Sequence, residues 1–461
     1  IDQAASSFRG TKDIMAFFDE EIGVPYPWPK YDQVVVNDFV AGGMENTSAT
    51  TLTDGTLFTD ATENIRSSES LVAHELAHQW FGDYVTCKDW SHVWLNEGFA
   101  DYYQVLYSGH KHGRDELLYN LYESARGIVG RTNAGRAIVE RRYDDAREQF
   151  SYLAYDKGAW VLHMLRSQLG TNLYRQCIKT YLDRHAYGSV MTEDLNRVIE
   201  ELSGRSFDQF FDQWVYHGGQ PELDLNYACD ARTKLARVSV RQTQRLSDDV
   251  FLFNFPLTVR FNTKAGVVDR EIQVKQAAED FYFSLDEAPT SVRIDPELTL
   301  LAKIRFEPPT AMLDAQLEDS KDVIGRLLAV EALSKRRDKE TVAKLKRTLN
   351  SDPFYGVRIE AARALRTIHS DDALDALLAS TKQPDARVRR QVVEAIGGFF
   401  HAKAYAATTE CLGRERNPDI QVEAIEPLGA YPNPEVRETL LRFLNTPSYR
   451  NELAVSAIHA I

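Results

Sequence analysis

Residues 74–103 read HELAHQWFGDYVTCKDWSHVWLNEGFADYY and contain two histidines four positions apart. On an α-helix, His74 and His78 lie on one face, one turn apart, so both imidazoles can reach one metal ion. A serine cluster, apolar spacing and a terminal glycine predict this helix over residues 67–82. Two histidines fill half of a tetrahedral zinc site, so the fold must bring a further ligand to this helix.

Glu97, nineteen positions after His78, is the predicted third ligand. Residues 83–90 read as a turn or loop, and Ser91 is expected to cap a second helix that carries Glu97 back over the first. Two histidines, one glutamate and one water form the open coordination that catalytic zinc uses. The sequence therefore predicts one Zn²⁺ per chain.

Two more carboxylates accompany the predicted ligands. Glu75 is turned about 100° around the helix from His74, which lets it approach a water at the metal as a general base without being a ligand. Asp101 follows Glu97 by four residues and shares its helix face. We hypothesise that Asp101 accepts the second N–H of a ligand histidine; the alternative is a solvated helix charge.

The chain of 461 residues is long enough for about three domains. Residues 1–217 mix helical and strand patterns and form the predicted catalytic domain. Residues 218–306 switch to apolar alternation with period two, which predicts a small β-sandwich. Residues 312–461 are predicted to be an all-α, HEAT-like solenoid, truncated at its end, because GRLLAVEAL, VRIEAARAL, VRRQVVEAI and IQVEAIEPL recur every 31 or 32 residues. One irregular helical bundle is the alternative.

Composition excludes several function classes. A net charge of −14 argues against nucleic acid as a partner, because phosphate binding needs clustered Lys and Arg. No apolar run is long enough for a membrane span, and no targeting signal is visible. The four cysteines form no CxxC pair, which indicates neither a disulfide framework nor a thiolate metal site and slightly favours the cytoplasm.

The block AGGMENTSA at residues 41–49, followed by HExxH, eighteen residues and Glu97, resembles the signature of the M1 family of zinc aminopeptidases. Similar patterns occur in VPYPWPKYD, AYDKGAWVLHML and FDQWVYHGGQPEL, so that residues 10–225 resemble the family closely. The resemblance implies a multidomain α+β chain that opens with a thermolysin-like peptidase domain. Members usually carry an N-terminal β domain, which this sequence does not contain; a partner chain or a trimmed segment is expected to supply it.

The resemblance also implies residue roles. His74, His78 and Glu97 would bind zinc, and Glu75 would activate water. Glu45 would bind the free α-amino group of a peptide substrate, for which a carboxylate is a suitable partner. Tyr155 would donate a hydrogen bond to the oxyanion that forms during peptide hydrolysis. Taken singly, Glu45 could be a charge at the end of a helix or strand, and Tyr155 could be a packed aromatic.

Gly42 and Gly43 would let a bound peptide approach the backbone, or they simply form a turn. The expected function is removal of single N-terminal residues from peptides. One alternative is an epoxide hydrolase like leukotriene A4 hydrolase, disfavoured because that branch lacks a β-sandwich. The other is an inactive scaffold that binds partners through the solenoid, disfavoured because every predicted ligand is present.

Overall fold

The computed structural model describes residues 2–131, 135–230 and 232–461. Their contacts divide the chain into two compact units. The first unit contains the residues up to Leu57 and then Ser68–Met312. The second unit contains Leu313–Ile461 together with Phe58–Ser67, a short segment from the N-terminal half of the chain.

The helices of the first unit surround an aromatic core. Phe81 and Phe99 stack with ring centroids 4.3 Å apart, and the side chains of Trp80, Trp94 and Trp160 are fully buried. Large rings of this kind bury much apolar surface and fix the helices that contribute them. The helices are α1 (Asp2–Ser7), α2 (Thr11–Ile22), α3 (Glu69–Ala77), α4 (Trp94–His112), α5 (Arg114–Val129), α6 (Gly158–Leu169), α7 (Thr171–His185), α8 (Thr192–Ser203) and α9 (Asp208–Phe211).

The helix predicted over residues 67–82 is shorter than expected, because α3 ends at Ala77. His78 keeps the helical hydrogen bond to the carbonyl of His74, at 3.2 Å, but the chain then turns so that the N–H of Gly82 reaches the carbonyl of Val85 at 2.8 Å. The predicted cap was also wrong. Asp89, not Ser91, accepts from the chain as it enters the 3₁₀ turn Trp90–His92, and α4 follows that turn.

A three-stranded sheet in the order β1-β3-β2 lies in the peptidase part, with β1 parallel and β2 antiparallel to β3. β2 contains Gly43 and Met44 of the GGMEN block (residues 42–46) and is an edge strand. Two further short strands pair in parallel. The strands are β1 (Asp32–Val36), β2 (Gly43–Met44), β3 (Ala49–Thr53), β4 (Val85–Cys87) and β5 (Gly188–Val190).

Two sheets form the predicted β-sandwich, in the orders β10-β7-β6-β12 and β11-β8-β9. Alternate side chains of β8 are buried, among them Leu257, Val259 and Phe261, as the period of two predicts. The strands are β6 (Glu222–Asp230), β7 (Leu235–Gln242), β8 (Phe255–Thr263), β9 (Gly266–Val274), β10 (Ala278–Ser284), β11 (Ser291–Ile294) and β12 (Lys303–Phe306).

Two polar side chains of the peptidase part bind backbone carbonyls in or next to the sandwich. Buried Lys157 donates to the carbonyl of Gly219 at 2.9 Å, and His163 Nε2 lies 2.8 Å from the carbonyl of Leu298. Burial lowers the pKa of His163 to about 4, so this imidazole is neutral at pH 7, with Nε2 donating and Nδ1 free to accept from Tyr102 at 3.1 Å. These contacts join the two parts of the first unit.

The second unit is a stack of helix pairs, so the predicted fold class is confirmed. The four recurring sequence segments lie on α11, α13, α15 and α17, and the fifth copy contains α19. Successive copies pack on one another and bury a continuous apolar core. The helices from residue 310 onward, of which α10 begins in the last residues of the first unit, are α10 (Thr310–Glu318), α11 (Val323–Ser334), α12 (Lys339–Ser351), α13 (Tyr355–Ile368), α14 (Asp371–Leu378), α15 (Ala386–Gly397), α16 (Ala402–Arg414), α17 (Pro418–Ile425), α18 (Pro434–Leu444) and α19 (Glu452–Ala460).

Gly98 on α4 and Gly158 at the start of α6 meet backbone to backbone. A Cβ added at Gly98 would lie 2.9 Å from the carbonyl carbon of Gly158 and 3.0 Å from the carbonyl oxygen of Ala154. Because backbone atoms cannot yield as a flexible side chain can, only glycine fits here. The close approach brings the segment that contains Tyr155 against the helix that contains Glu97.

We predict that Gly98→Ala destabilises the protein by about 1 to 3 kcal/mol, because the new methyl group overpacks this contact. Gly127→Ala is the matched control: Gly127 is exposed on α5 with nothing within 4 Å of an added Cβ, so alanine should stabilise the helix by up to about 1 kcal/mol. Urea unfolding measures both changes. Equal effects of the two substitutions would contradict the glycine contact.

Candidate metal centre

Three predicted ligands converge where α3 and α4 cross. Nε2 of His74 and Nε2 of His78 lie 3.0 Å apart, and Oε2 of Glu97 lies 3.4 Å from the first and 3.1 Å from the second. All three residues present one ligand atom to a common point, within 4.8 Å of one another. Two nitrogens and one carboxylate oxygen in this arrangement are a donor set suited to zinc, with a coordination position left open.

Other groups hold the far side of each ring. Nδ1 of His74 lies 2.8 Å from Oδ1 of Asp101, and Nδ1 of His78 lies 2.9 Å from the carbonyl of Phe81. When the ring is neutral, each acceptor keeps the remaining proton on Nδ1, which leaves the lone pair of Nε2 for a metal ion at the common point. The turn that ends α3 early thus supplies the carbonyl that orients His78.

Charge also favours a cation at this point. Burial lowers the pKa of His78, but the carboxylate of Glu97 outweighs burial and raises that pKa to about 10. Burial also lowers the pKa of His74, but the hydrogen bond with Asp101 raises it, and the net result is a pKa of about 9. Burial raises the pKa of Glu97, yet the two histidines hold it far below its usual range. A buried carboxylate needs such a positive partner, and a metal ion can replace the protons that otherwise provide it.

Glu75 lies beside this point but is not one of the three donors. Its side chain is 4% exposed, and its Oε2 finds no hydrogen-bond partner among the described residues. Burial raises the pKa of Glu75 to about 7, which suits a group that must both take up and release a proton near neutral pH.

The glycines of the GGMEN block make room for Glu75. A Cβ added at Gly43 would lie 2.1 Å from Oε1 of Glu75, so a side chain there would displace the carboxylate. Gly42 is exposed, and its carbonyl accepts from the N–H of Thr53 at 2.9 Å. Gly43 thus leaves space for the carboxylate of Glu75, which the sequence did not indicate. Contact of either glycine with a substrate stays a prediction.

Tyr155 lies in the π-helical turn Leu153–Lys157, which runs into α6. Its ring stacks near that of His74, with centroids 6.1 Å apart and an interplanar angle of 10°. Burial raises the pKa of Tyr155 above its usual value, and Glu97 raises it further, so the phenol keeps its proton at neutral pH and can donate a hydrogen bond. Single π turns are frequent at functional sites.

Sequence reasoning missed Gln79, which is fully buried just beyond α3. Its Nε2 donates to the carbonyl of Glu45 at 3.0 Å, and its Oε1 accepts from the N–H of Ser48 at 2.8 Å. Gln79 therefore fixes the GGMEN block to the histidine-bearing segment. The only sign of this role in the sequence is that Gln79 is a polar residue in a segment flanked by apolar Ala77 and Trp80.

Asp83 and Asn96 were also given no role by the sequence. Burial and the nearby charge of Glu45 together raise the pKa of Asp83 to about 7, so the carboxyl groups of Glu45 and Asp83 influence each other. The side-chain oxygen of Asn96 accepts from the N–H of Cys87 at 3.2 Å, so this residue holds the strand between α3 and α4.

Two histidines of an HExxH segment and a glutamate from the next helix define a metallopeptidase-like domain. Residues 6–214 match the peptidase family M1 domain, and residues 310–397 and 379–459 match HEAT repeats. Residues 6–214 therefore form a peptidase family M1 domain, as the resemblance in the sequence predicts. Among the described residues, no helix combines the length and apolar character needed to cross a bilayer.

Similar proteins include two plant enzymes. Aminopeptidase M1-A of Oryza sativa subsp. japonica is 31% identical over 63% of this chain and 35% of its own length. Aminopeptidase M1 of Arabidopsis thaliana is 33% identical over 53% of this chain and 28% of its own length. The aligned chain thus spans well under half of these relatives.

A solved structure has the same fold. The aminopeptidase A of Legionella pneumophila, in complex with aspartic acid, superposes with a TM-score of 0.72 at 14% identity, covering 100% of this chain and 64% of that one. At this identity the likeness establishes the fold alone.

We predict that Asp101→Asn weakens zinc binding by about 10-fold or more, because the variant loses the charge that holds the proton on Nδ1 of His74. Asp115→Asn, on α5 outside the metal centre, is the control and should bind zinc as the wild type does. Competition with a chromophoric chelator measures both affinities. An unchanged affinity in Asp101→Asn would make Asp101 an ordinary helix charge.

Proposed function

We propose that the protein is a zinc-dependent aminopeptidase that removes single N-terminal residues from peptides. The observation that carries the proposal is the convergence of His74, His78 and Glu97 on one point, beside Glu75, whose Oε2 has no hydrogen-bond partner among the described residues. A purely structural cluster would not need a buried carboxylate oxygen left without a hydrogen bond. The names of the relatives agree with this activity.

Zinc, when bound by these three residues, would polarise the substrate carbonyl and make a water acidic. Glu75 accepts a proton from the attacking water. It later delivers that proton to the nitrogen of the departing amine, which leaves as the shortened peptide. Because burial raises the pKa of Glu75 to about 7, this carboxyl group can both take up and release a proton near neutral pH.

The GGMEN block orients the substrate. β2 is the edge of its sheet, so an extended peptide can add to its free side through main-chain hydrogen bonds. The carboxylate of Glu45 then pairs with the free α-amino group, for which a charged acceptor is a suitable partner. A substrate fixed by its terminal amine presents its first peptide bond to Glu75, which explains why one residue is removed at a time.

Tyr155 stabilises the transition state. Its phenol keeps its proton because burial and Glu97 raise its pKa, so it donates a hydrogen bond to the carbonyl oxygen as that oxygen gains negative charge. A donor aimed at developing charge lowers the barrier more than it strengthens substrate binding.

Glu75→Gln tests the proton transfer. We expect kcat to fall by about 100- to 10,000-fold, because an amide cannot accept the proton, while zinc content stays at one per chain. Glu69→Gln, the same substitution in the first turn of the same helix, should retain activity. Turnover that persists in Glu75→Gln would refute this mechanism.

Glu45→Ala tests recognition of the terminal amine. Losing a hydrogen bond to a charged group costs about 1.5 to 3 kcal/mol, so kcat/KM for a free dipeptide amide should fall by about 10- to 100-fold. Zinc affinity should not change. Glu45→Gln, which keeps the size and removes the charge, should show most of the same loss. If both variants still prefer free over acetylated substrates as the wild type does, another group binds the amine.

A further inference from the structure

Residues 58–67, here called the strap, fold with the helical repeats. In the sequence the strap lies between β3 and α3, yet its contacts place it in the second unit together with Leu313–Ile461. The preceding and following residues, Leu57 and Ser68, belong to the first unit. The strap is therefore a piece of peptidase-domain sequence that is embedded in the repeats.

Arg66 is the strongest attachment of the strap. Its Nε lies 3.1 Å from both carboxylate oxygens of Asp419, and its Nη2 lies 2.6 Å from Oδ1 of Asp419 and 2.7 Å from each carboxylate oxygen of Glu452. The side chains of Arg66, Asp419 and Glu452 are 26%, 10% and 26% exposed. Planar, partly buried pairs of this kind are much stronger than surface ion pairs.

Asp419 and Glu452 come from different repeats. Asp419 lies in the first turn of α17 and Glu452 in the first turn of α19. One guanidinium thus pairs with a carboxylate of α17 and a carboxylate of α19, which belong to successive repeats. A lysine could not pair with both in the same planar way, because its ammonium lacks the fork of donors.

Three neighbouring residues of the strap add to this attachment. Glu63 accepts from Arg389 at 2.5 Å and from the side-chain amide of Asn417 at 3.3 Å. The side-chain oxygen of Asn64 accepts from the N–H of Ala386, the first residue of α15, at 3.2 Å. Ile65 packs on the apolar cluster of the last repeats. Every residue from 63 to 66 is thus bound by the repeats.

The strap leads directly to the metal centre along the chain. Only Ser67 and Ser68 separate Arg66 from Glu69, the first residue of α3. The carbonyl of Ser7 accepts a hydrogen bond from the hydroxyl of Ser68, which restrains the two residues between Arg66 and α3. Since α3 contains His74 and Glu75, a shift of its first turn would move groups that must be placed to a fraction of an ångström.

We propose that Arg66 is a positioning residue: by binding the strap to the repeats it fixes the beginning of α3, and with it the metal ligand and the general base on that helix. The kinetic part of this inference rests on the proposed function, whereas its structural part does not.

The test compares Arg66→Ala and Arg66→Lys with Arg390→Ala in the full chain. Arg390 on α15 pairs with Glu423 of α17 at 2.7 Å, an ion pair that includes no residue of the strap, so Arg390→Ala removes a similar pair from the same repeats. We would measure hydrogen exchange of residues 69–78, the rate at which a chelator removes zinc, and kcat and KM separately.

For Arg66→Ala we expect exchange in residues 69–78 to quicken by about tenfold or more, since a restraint on local opening is lost. Zinc should leave faster, and kcat should fall with little change in KM. Arg66→Lys should give a smaller change in the same direction. Arg390→Ala should leave residues 69–78 and the zinc release rate unchanged.

Faster exchange in the strap with unchanged exchange in residues 69–78 and unchanged zinc release would overturn the inference. If Arg66→Ala does not fold, Arg66→Lys and Glu452→Gln carry the same comparison. Exchange and zinc release that respond as expected in a protein that cleaves no peptide would refute the aminopeptidase proposal and leave the positioning role intact.

Discussion

The metal centre depends on the contact between the buried carboxylate of Glu97 and the imidazoles of His74 and His78. A carboxylate with 5% exposure is costly without a positive partner. The two rings provide this positive partner when they are protonated, and their raised pKa values favour the protonated form. Otherwise a metal ion that the rings share with Glu97 provides the positive charge. Either way α3 and α4 are bound where they cross, and the other groups of the site are arranged around that crossing.

The absence of side chains matters as much as their presence. Gly98 lets the turn with Tyr155 approach α4, and Gly43 leaves room for the carboxylate of Glu75. Gln79 then fixes the GGMEN block to the end of α3. Gly98 thus joins α4 to the turn that contains Tyr155, whereas Gly43 and Gln79 both join the GGMEN block to the segment that contains α3.

Much of this could be predicted from the sequence. Spacing alone brought His74, His78 and Glu97 together, and a period of 31 or 32 residues revealed the repeats, because both patterns are local. The early end of α3 and the capping by Asp89 were mispredicted, since tertiary contacts decide where a helix stops. Gln79 and the strap could not be found, because their partners lie 31 to 386 residues away and no local pattern marks such pairs.

The most direct test of the central claim is hydrolysis of aminoacyl fluorogenic amides by protein of known zinc content, beside the same amides with an acetylated amine. The account predicts cleavage of the free substrates alone, lost when a chelator removes the metal and restored by one zinc ion per chain. Stoichiometric zinc without cleavage, or equal cleavage of free and acetylated substrates, would contradict it.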